Sequence, residues 1–167
     1  PMGRYSDNMG ATKCIFVPAG TYSSECDTNL TACQSTLPCP SGHYCKQSST
    51  TPKQCVSGKY AEDVGSVNCI NCAPGRYAAK NGSIACSQCI EGRFNPIPGQ
   101  NKCRVCQASK SSLSGATKCS SCQPGKFGNE SGLCYPCSKN TFSDSEGVMQ
   151  CQKCPSEKIS DIGAVSC

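Results

Sequence analysis

The chain has 167 residues with 19 Cys, 16 Gly and no Trp, and its formal net charge is +5. Large apolar side chains are too few for a single packed core, whereas cysteine above a tenth of all residues is typical of a disulfide scaffold, which persists only in an oxidising compartment. No apolar run approaches the roughly 18 residues of a membrane span, and a dispersed charge of +5 does not indicate nucleic-acid binding, so we expect an extracellular or cell-surface protein.

Residues 1–14 resemble a repeat that has lost its first cysteine. Their two glycines, tyrosine and Cys14 match the spacing of later repeats if a cysteine stood just before Pro1. The sequence Gly-Ala-Thr-Lys-Cys at 10–14 also recurs at 115–119. We therefore expect Cys14 to be unpaired within this chain and the chain to be a window on a longer array. A free or intermolecular thiol at Cys14 is the alternative.

Residues 15–54 form an irregular cysteine-rich segment. Val17 stands where a repeat would open with cysteine, and the pattern restarts at Cys39 with an extra cysteine, Cys45, after the aromatic Tyr44. The segment holds four cysteines, which allow three pairings: Cys26, Cys33, Cys39 and Cys45. Of these we expect the crossed pairing, Cys26–Cys39 with Cys33–Cys45.

Residues 55–167 form a tandem array of seven short repeats. Six C-x-x-C pairs follow one another at intervals of 15 to 17 residues: Cys69/Cys72, Cys86/Cys89, Cys103/Cys106, Cys119/Cys122, Cys134/Cys137 and Cys151/Cys154. The second cysteine of each pair opens a repeat, and the first cysteine of the next pair closes it. Cys55 opens the series and Cys167 closes it.

Two glycine positions and one aromatic position recur inside each repeat. The third residue after the opening cysteine, the turn glycine, is Gly58, Gly75, Gly92 or Gly125, with Ser109, Asn140 and Glu157 as exceptions. The fifth residue is the aromatic position, held by Tyr60, Tyr77, Phe94, Phe127 and Phe142, with Ser111 and Ile159 as exceptions. Near the tenth position stands the return glycine: Gly65, Gly82, Gly99, Gly115, Gly132, Gly147 or Gly163.

These positions predict hairpins. Glycine tolerates the left-handed backbone of a tight turn, and the aromatic supplies most of the apolar area of a repeat. Each repeat should contain two short extended segments joined by turns. Helix is not expected, because no apolar stripe of 3.6-residue period appears.

The pattern C-x-P-G-x-Y, then about eight residues, then C-x-x-C, as at residues 72–89, resembles the ephrin-receptor-like cysteine-rich repeat. The resemblance covers nearly the whole chain. Together with the repeat it implies that each opening cysteine pairs with the next closing one: Cys55–Cys69, Cys72–Cys86, Cys89–Cys103, Cys106–Cys119, Cys122–Cys134, Cys137–Cys151 and Cys154–Cys167.

The predicted fold is a small disulfide-rich chain of tandem repeats of about 17 residues, with short β-hairpins and loops, forming an elongated rod. Proteins with similar repeats include large surface or secreted glycoproteins of protists and flagellar-hair (mastigoneme) subunits of algae. The expected function is a structural segment of an extracellular glycoprotein, a subunit of a fibre or surface appendage that associates with itself, with other filament proteins or with glycans. The alternative is a receptor or adhesion ectodomain that binds a protein or glycan ligand.

Zinc is the main alternative use of the cysteines, since two C-x-x-C pairs can form a four-thiolate site. An unbroken ladder of such pairs favours disulfides. His43 is the only histidine, so no histidine-based triad or histidine ligand set is available, and we expect neither an enzyme nor a bound metal or cofactor.

The residue after the turn glycine, the basic position, is Lys or Arg in most repeats: Arg4, Lys59, Arg76, Arg93, Lys110, Lys126 and Lys158. If the repeats stack with little rotation, these residues form a stripe that would bind an acidic polysaccharide or filament. Alternatively, solvated turns simply favour basic residues.

Three N-glycosylation sequons are present, at Asn29, Asn81 and Asn129. Asn81 and Asn129 precede a return glycine, where the chain should be exposed. We expect covalent N-glycans on at least two of the three.

Overall fold

The computed structural model describes residues 3–6, 14–24 and 35–167. Within these ranges the chain forms only short β-strands, turns and bends, and no helix. The strands make two-stranded sheets, each from two strands that are consecutive in the chain. Eight disulfide bonds lie in the same ranges. The predicted fold class, small disulfide-rich hairpin repeats, is confirmed.

Eighteen strands lie in the described ranges. The first eight are β1 Arg4–Tyr5, β2 Ile15–Phe16, β3 Thr21–Ser24, β4 Ser35–Pro38, β5 His43–Tyr44, β6 Lys53–Gln54, β7 Lys59–Tyr60 and β8 Ile70–Asn71. The other ten are β9 Arg76–Tyr77, β10 Ser87–Gln88, β11 Arg93–Phe94, β12 Arg104–Val105, β13 Lys110–Ser111, β14 Ser120–Ser121, β15 Lys126–Gly128, β16 Cys134–Pro136, β17 Thr141–Phe142 and β18 Gln152–Lys153. Most are two residues long, because a turn or a cysteine follows so soon.

The repeats opened by Cys55 through Cys137 each fold as one hairpin. The first strand holds the basic and aromatic positions, and the second strand includes the two residues inside the C-x-x-C motif. In the first of these repeats Lys59 pairs with Asn71, and Tyr60 pairs with Ile70, in antiparallel register. The C-x-x-C spacing therefore brackets a strand.

Left-handed turns are present at both predicted glycine positions. All turn and return glycines of residues 55–167 have φ between 70° and 87°. Where another residue replaces the turn glycine the backbone is the same, with φ of 72° at Ser109, 63° at Asn140 and 69° at Glu157. Such φ values are uncommon outside glycine but are tolerated by asparagine, so the geometry of the repeat overrides the local preference at Ser109 and Glu157 and agrees with it at Asn140.

The chain divides into two compact units. The first comprises Pro1–Cys72, Ala78–Ser87 and Gly99–Asn101, and the second comprises Ala73–Tyr77, Gln88–Pro98 and Lys102–Cys167. In the first unit, Gly58 donates its N–H to the carbonyl of Ala78 in the next repeat at 2.8 Å. Gly82 donates back to the carbonyl of Cys55 at 2.7 Å. Each repeat is thus bonded to its neighbour through both glycine positions.

The second unit uses the same hydrogen bonds. Gly92 donates to the carbonyl of Ser112 at 2.9 Å, and Gly115 donates to the carbonyl of Cys89 at 2.7 Å. Since backbone groups carry these bonds, neighbouring repeats can be joined in the same way whatever side chains they present.

Turn and return glycines two repeats apart are in close contact. A Cβ on Gly20 would lie 2.5 Å from the carbonyl oxygen of Gly65 in the first unit. In the second unit, a Cβ on Gly92 would lie 2.7 Å from the carbonyl oxygen of Gly132. Real Cβ atoms do not approach so closely, so the turn glycine is needed for space as well as for φ.

The buried interior of both units is made of cysteines and small side chains. The cysteines that open the repeats from Cys39 to Cys137 are at most 2% exposed. The sixth residue after each opening cysteine, which we call the post-aromatic position, is buried in every array repeat: Ala61, Ala78, Asn95, Ser112, Gly128, Ser143 and Ser160. The aromatic side chains are only half-buried, and Ile159 is 76% exposed. Disulfides, rather than aromatic rings, occupy the centre of each repeat.

The described part of the segment 15–54 differs from the array in the positions of its cysteines but forms the same backbone hydrogen bonds between repeats. Val17 takes the place of an opening cysteine, is fully buried, and donates its N–H to the carbonyl of Gly3 at 3.1 Å. Gly42 donates to the carbonyl of Ala61 at 2.7 Å, as turn glycines do elsewhere. An apolar side chain is thus sufficient at the opening position.

All seven disulfides of the array pair as the repeat and the resemblance implied, from Cys55–Cys69 to Cys154–Cys167. Their Cα–Cα distances are 5.6 to 5.8 Å. The expected crossed pairing is wrong. Cys39 bonds to Cys45, at a Cα–Cα distance of 5.8 Å, and not to Cys26, so Cys33 cannot bond to Cys45.

The physical reason for the Cys39–Cys45 bond is that Cys45 occupies the post-aromatic position. That position is buried beside the opening cysteine of the same repeat, and both cysteines are fully buried here. Cys26 and Cys33 lie outside the described residues.

Candidate functional site

The residues of the predicted stripe occupy equivalent positions in their repeats, and they differ in exposure. In the first unit, Arg4 and Lys59 are half-buried. In the second unit Lys110 is half-buried, and the others are exposed: Arg76, Arg93, Lys126 and Lys158. The guanidinium carbon of Arg4 lies 4.2 Å above the ring centroid of Phe16, a cation–π contact.

The post-aromatic side chains anchor the backbone at the basic positions. Asn95 Nδ2 donates to the carbonyl of Arg76 at 3.0 Å, and Ser112 Oγ donates to the carbonyl of Arg93 at 2.9 Å. Sequence reasoning missed this position, although its signal, a small residue after each aromatic, is readable in every repeat.

Positive charge is concentrated in the second unit. It holds ten Lys and Arg against six Asp and Glu. Between Glu91 and Glu130 there is no carboxylate side chain, and six cations lie in that interval: Arg93, Lys102, Arg104, Lys110, Lys118 and Lys126. An anionic partner would therefore be attracted most strongly to this part of the chain.

A cleft of about 640 Å³ opens within the same stretch. Its lining includes hydroxyl side chains and two lysines, Lys118 and Lys126, with one carboxylate, Glu91. The hydroxyl residues are Ser111, Ser112, Ser114, Thr117, Ser120 and Ser121. The cleft therefore brings hydroxyl and ammonium groups together at one place in the second unit.

The cleft coincides with the repeat that departs most from the pattern. Ser111 stands at the aromatic position of the repeat opened by Cys106 and lines the cleft. In other array repeats Tyr, Phe or Ile occupies that position. Loss of a ring there leaves space and exposes hydroxyl groups.

Both described sequon asparagines are exposed. Asn81 Oδ1 accepts a hydrogen bond from the N–H of Ser57 at 2.8 Å, and Asn129 Oδ1 accepts one from the N–H of Ser131 at 3.0 Å. In each case the bond uses the oxygen and leaves the amide nitrogen, to which a glycan attaches. Asn29 lies outside the described residues.

The cysteines of the array are joined in disulfides, so their thiolates are not available to zinc. In the described ranges, no three His, Cys, Asp or Glu side chains are grouped to hold a metal ion. Cys14 forms no disulfide within the described chain and is half-buried. None of the described structure is a helix of the length and hydrophobicity that would cross a bilayer.

In the described residues, a ladder of disulfide-closed hairpins without a helix is the fold of small disulfide-rich repeats, a class typical of extracellular proteins. Residues 125–166 match the family described as tyrosine-protein kinase ephrin type A/B receptor-like. The match and the run of tandem disulfides together fit ephrin-receptor-like cysteine-rich repeats. Repeats of this family are structural or binding modules of extracellular ectodomains and are not typically catalytic. No curated protein is significantly similar in sequence to the chain.

Proposed function

We propose that the chain is a structural, rod-like segment of an extracellular glycoprotein that serves as a subunit of a fibre or surface appendage. The observation that supports this most is the repetition of one set of backbone hydrogen bonds from repeat to repeat in both units. A periodic connection of this kind suits a spacer or filament, because each added repeat brings the same contacts.

Covalent closure adds resistance to extension. Each array repeat is a loop closed by a disulfide, and only two residues separate it from the next loop. These two residues are themselves held in a strand, as Ser120–Ser121 is against Lys110 and Ser111. A pulling force would therefore meet short, crosslinked loops with little slack between them.

Self-association follows from the same design. A repeat binds the next repeat through glycine N–H groups and the backbone carbonyls of other residues, and wherever no neighbouring repeat of the same molecule uses these groups, they match a repeat of another molecule. A head-to-tail contact of this kind that does not close into a ring yields a filament. The partners we propose are thus further copies of the chain or related filament proteins.

Electron microscopy of the protein isolated from its native source without reduction tests this function. Fibres with a regular subunit repeat, which fall apart after the disulfides are reduced, are the expected result. Dispersed single particles at all concentrations would contradict the filament role.

A receptor or adhesion ectodomain is the second candidate, favoured by exposed hydrophobic side chains near the first end of the chain. Ile15 is 49% exposed, Phe16 50% and Leu37 44%. Apolar groups exposed together often mark protein-binding surfaces. Chemical crosslinking at the native cell surface tests this role: Phe16→Ser should lose a specific crosslinked partner that Ile159→Ser retains.

A further inference from the structure

The cleft at the repeat opened by Cys106 has unsatisfied hydrogen-bonding capacity. Ser112 Oγ and Ser114 Oγ donate to backbone carbonyls of the protein, at 2.9 and 3.0 Å. Ser111, Thr117 and Ser120 also line the cleft, and their hydroxyls form no side-chain hydrogen bond in the described chain. Ser111 and Ser120 are paired across the hairpin and so lie on the same face. Three hydroxyls that can each donate and accept a hydrogen bond are thus available to a ligand in the cleft or to solvent.

The cations of the cleft are also available. Lys118 and Lys126 are exposed, and neither forms an ion pair within the described residues. The nearest carboxylate in sequence on either side is Glu91 or Glu130. With two ammonium groups against Glu91 alone in its lining, the cleft carries a net positive charge.

The volume of the cleft and the many hydroxyl groups among its lining residues suit a small polar ligand. A volume of about 640 Å³ lies within the range of about 300–1,000 Å³ that is usual for small-molecule sites. Leu113, 79% exposed, is the one large aliphatic side chain in the lining. The lining has hydroxyl groups on both strands of the hairpin β13–β14, and these match a ligand that itself presents many hydroxyls.

We propose that this cleft binds a short anionic segment of an extracellular saccharide, a sulfated or uronic-acid sugar. Lys118 and Lys126 bind the sulfate or carboxylate through charge-assisted hydrogen bonds. Ser111, Thr117 and Ser120 bind the sugar hydroxyls. The site is separate from the proposed filament function, because it lies in one repeat and needs no second molecule of the chain.

The substitution Ser111→Phe tests the cleft. It restores the aromatic that other repeats carry, so the fold tolerates it, and the ring occupies the space in front of β14. Titration calorimetry of the purified, disulfide-intact protein would use size-matched tetrasaccharides: sulfated, unsulfated uronate and neutral. Both charged sugars should bind at least tenfold more tightly than the neutral one, and the ratio of the two identifies the anionic group.

Ser111→Phe should weaken binding of the charged tetrasaccharides at least tenfold, and Lys118→Ala about tenfold, the size of effect usual for a hydrogen bond to a charged group. Two controls match these changes. Ile159→Phe introduces the same ring at the same position of another repeat, and Lys139→Ala removes an exposed lysine outside the cleft. Neither should alter binding by more than about twofold.

The proposal is overturned if none of the tetrasaccharides binds, or if Ser111→Phe binds them as the unaltered protein does. It is equally overturned if Lys139→Ala weakens binding as much as Lys118→Ala, since that means diffuse charge attraction. Polyglutamate that binds as tightly as the sugars and is lost with Ser111→Phe would assign the cleft to an acidic peptide instead. Because Lys118 is exposed, Lys118→Ala remains informative if Ser111→Phe fails to fold.

Discussion

The α-carbon of Gly58 faces the carbonyl group of Gly99, two repeats further along, so closely that a Cβ on Gly58 would lie 2.8 Å from the carbonyl carbon. The return glycine Gly65 of the same repeat has more room, because a Cβ there meets nothing nearer than 3.8 Å. In the second unit the return glycine Gly132 is itself tight, since a Cβ there would lie 2.5 Å from the carbonyl oxygen of Gly92. Gly58 and Gly65 therefore share a left-handed backbone but differ in how tightly they pack.

Gly58→Ala should destabilise the protein much more than Gly65→Ala. Both residues have φ above 80°, so each substitution meets the left-handed strain of about 1–2 kcal/mol. Only Gly58→Ala adds a steric clash with backbone, which costs about 1–3 kcal/mol more. Guanidinium unfolding without reduction measures both midpoints. Equal midpoints would show that φ alone explains the turn glycine.

Asn95→Ser should be neutral or slightly stabilising, whereas Asn95→Ala should cost about 1–2 kcal/mol. Asn95 is fully buried, and its Oδ1 has no hydrogen-bond partner in the described chain. Serine at the same position of another repeat, Ser160, donates to the carbonyl of Thr141 at 3.0 Å. Serine at 95 would keep such a donor and remove the unsatisfied oxygen, while alanine removes both. Thermal unfolding of the two variants side by side decides the matter, and a larger loss for Asn95→Ser would contradict the assignment.

Replacing Cys39 and Cys45 together by alanine should cost less than replacing Cys72 and Cys86. The first bond closes a separation of 6 residues and the second one of 14, so loop-closure entropy predicts about 2 against about 3 kcal/mol. Alanine also already fills the post-aromatic position at Ala61 and Ala78. Unfolding midpoints give the comparison. Peptide mapping without reduction checks the pairing itself, and a Cys26–Cys39 peptide would refute it.

The basic position provides a test of the polyanion stripe that is independent of the cleft. Changing Arg76, Arg93 and Lys158 together to alanine should lower the salt concentration at which the protein elutes from an immobilised sulfated polysaccharide, because surface charge attraction is screened by salt. The matched control changes Lys46, Lys80 and Lys139, which lie outside the basic position. If both triple variants elute at the same salt concentration, polysaccharide binding depends on net charge and not on the basic position.

Glycans should be found on Asn81 and Asn129 of the native protein. Both side chains are exposed, and their hydrogen bonds use Oδ1, so a sugar on Nδ2 leaves these bonds intact. Mass spectrometry before and after enzymatic deglycosylation measures occupancy, with Asn71, which lies outside any sequon, as the internal control. Unmodified peptide at both positions would count against passage through the secretory pathway.

Local features account for what could be predicted. The opening and closing cysteines, the aromatic and the two glycines recur within 15 to 17 residues, and each acts on its own repeat. The left-handed turn is also present at Ser109, Asn140 and Glu157, because the disulfide-bonded cysteines on either side constrain the backbone of the repeat. The post-aromatic position was missed because small residues as different as Ala61, Asn95 and Ser160 share no chemistry apart from their size.

The sequence by itself therefore determined the class of protein: disulfide-closed hairpin repeats for an oxidising compartment, with turns at known positions. With the family resemblance, it also implied the seven bridges of the array. Only the tertiary structure decided the partner of Cys45, the contact of Gly58 with Gly99 and the cleft that Ser111 leaves open. The bond between Cys39 and Cys45 forms because the post-aromatic position, held here by Cys45, is buried beside the opening cysteine. The glycine contact and the cleft depend on how separate segments meet in space, which the spacing within one repeat does not specify.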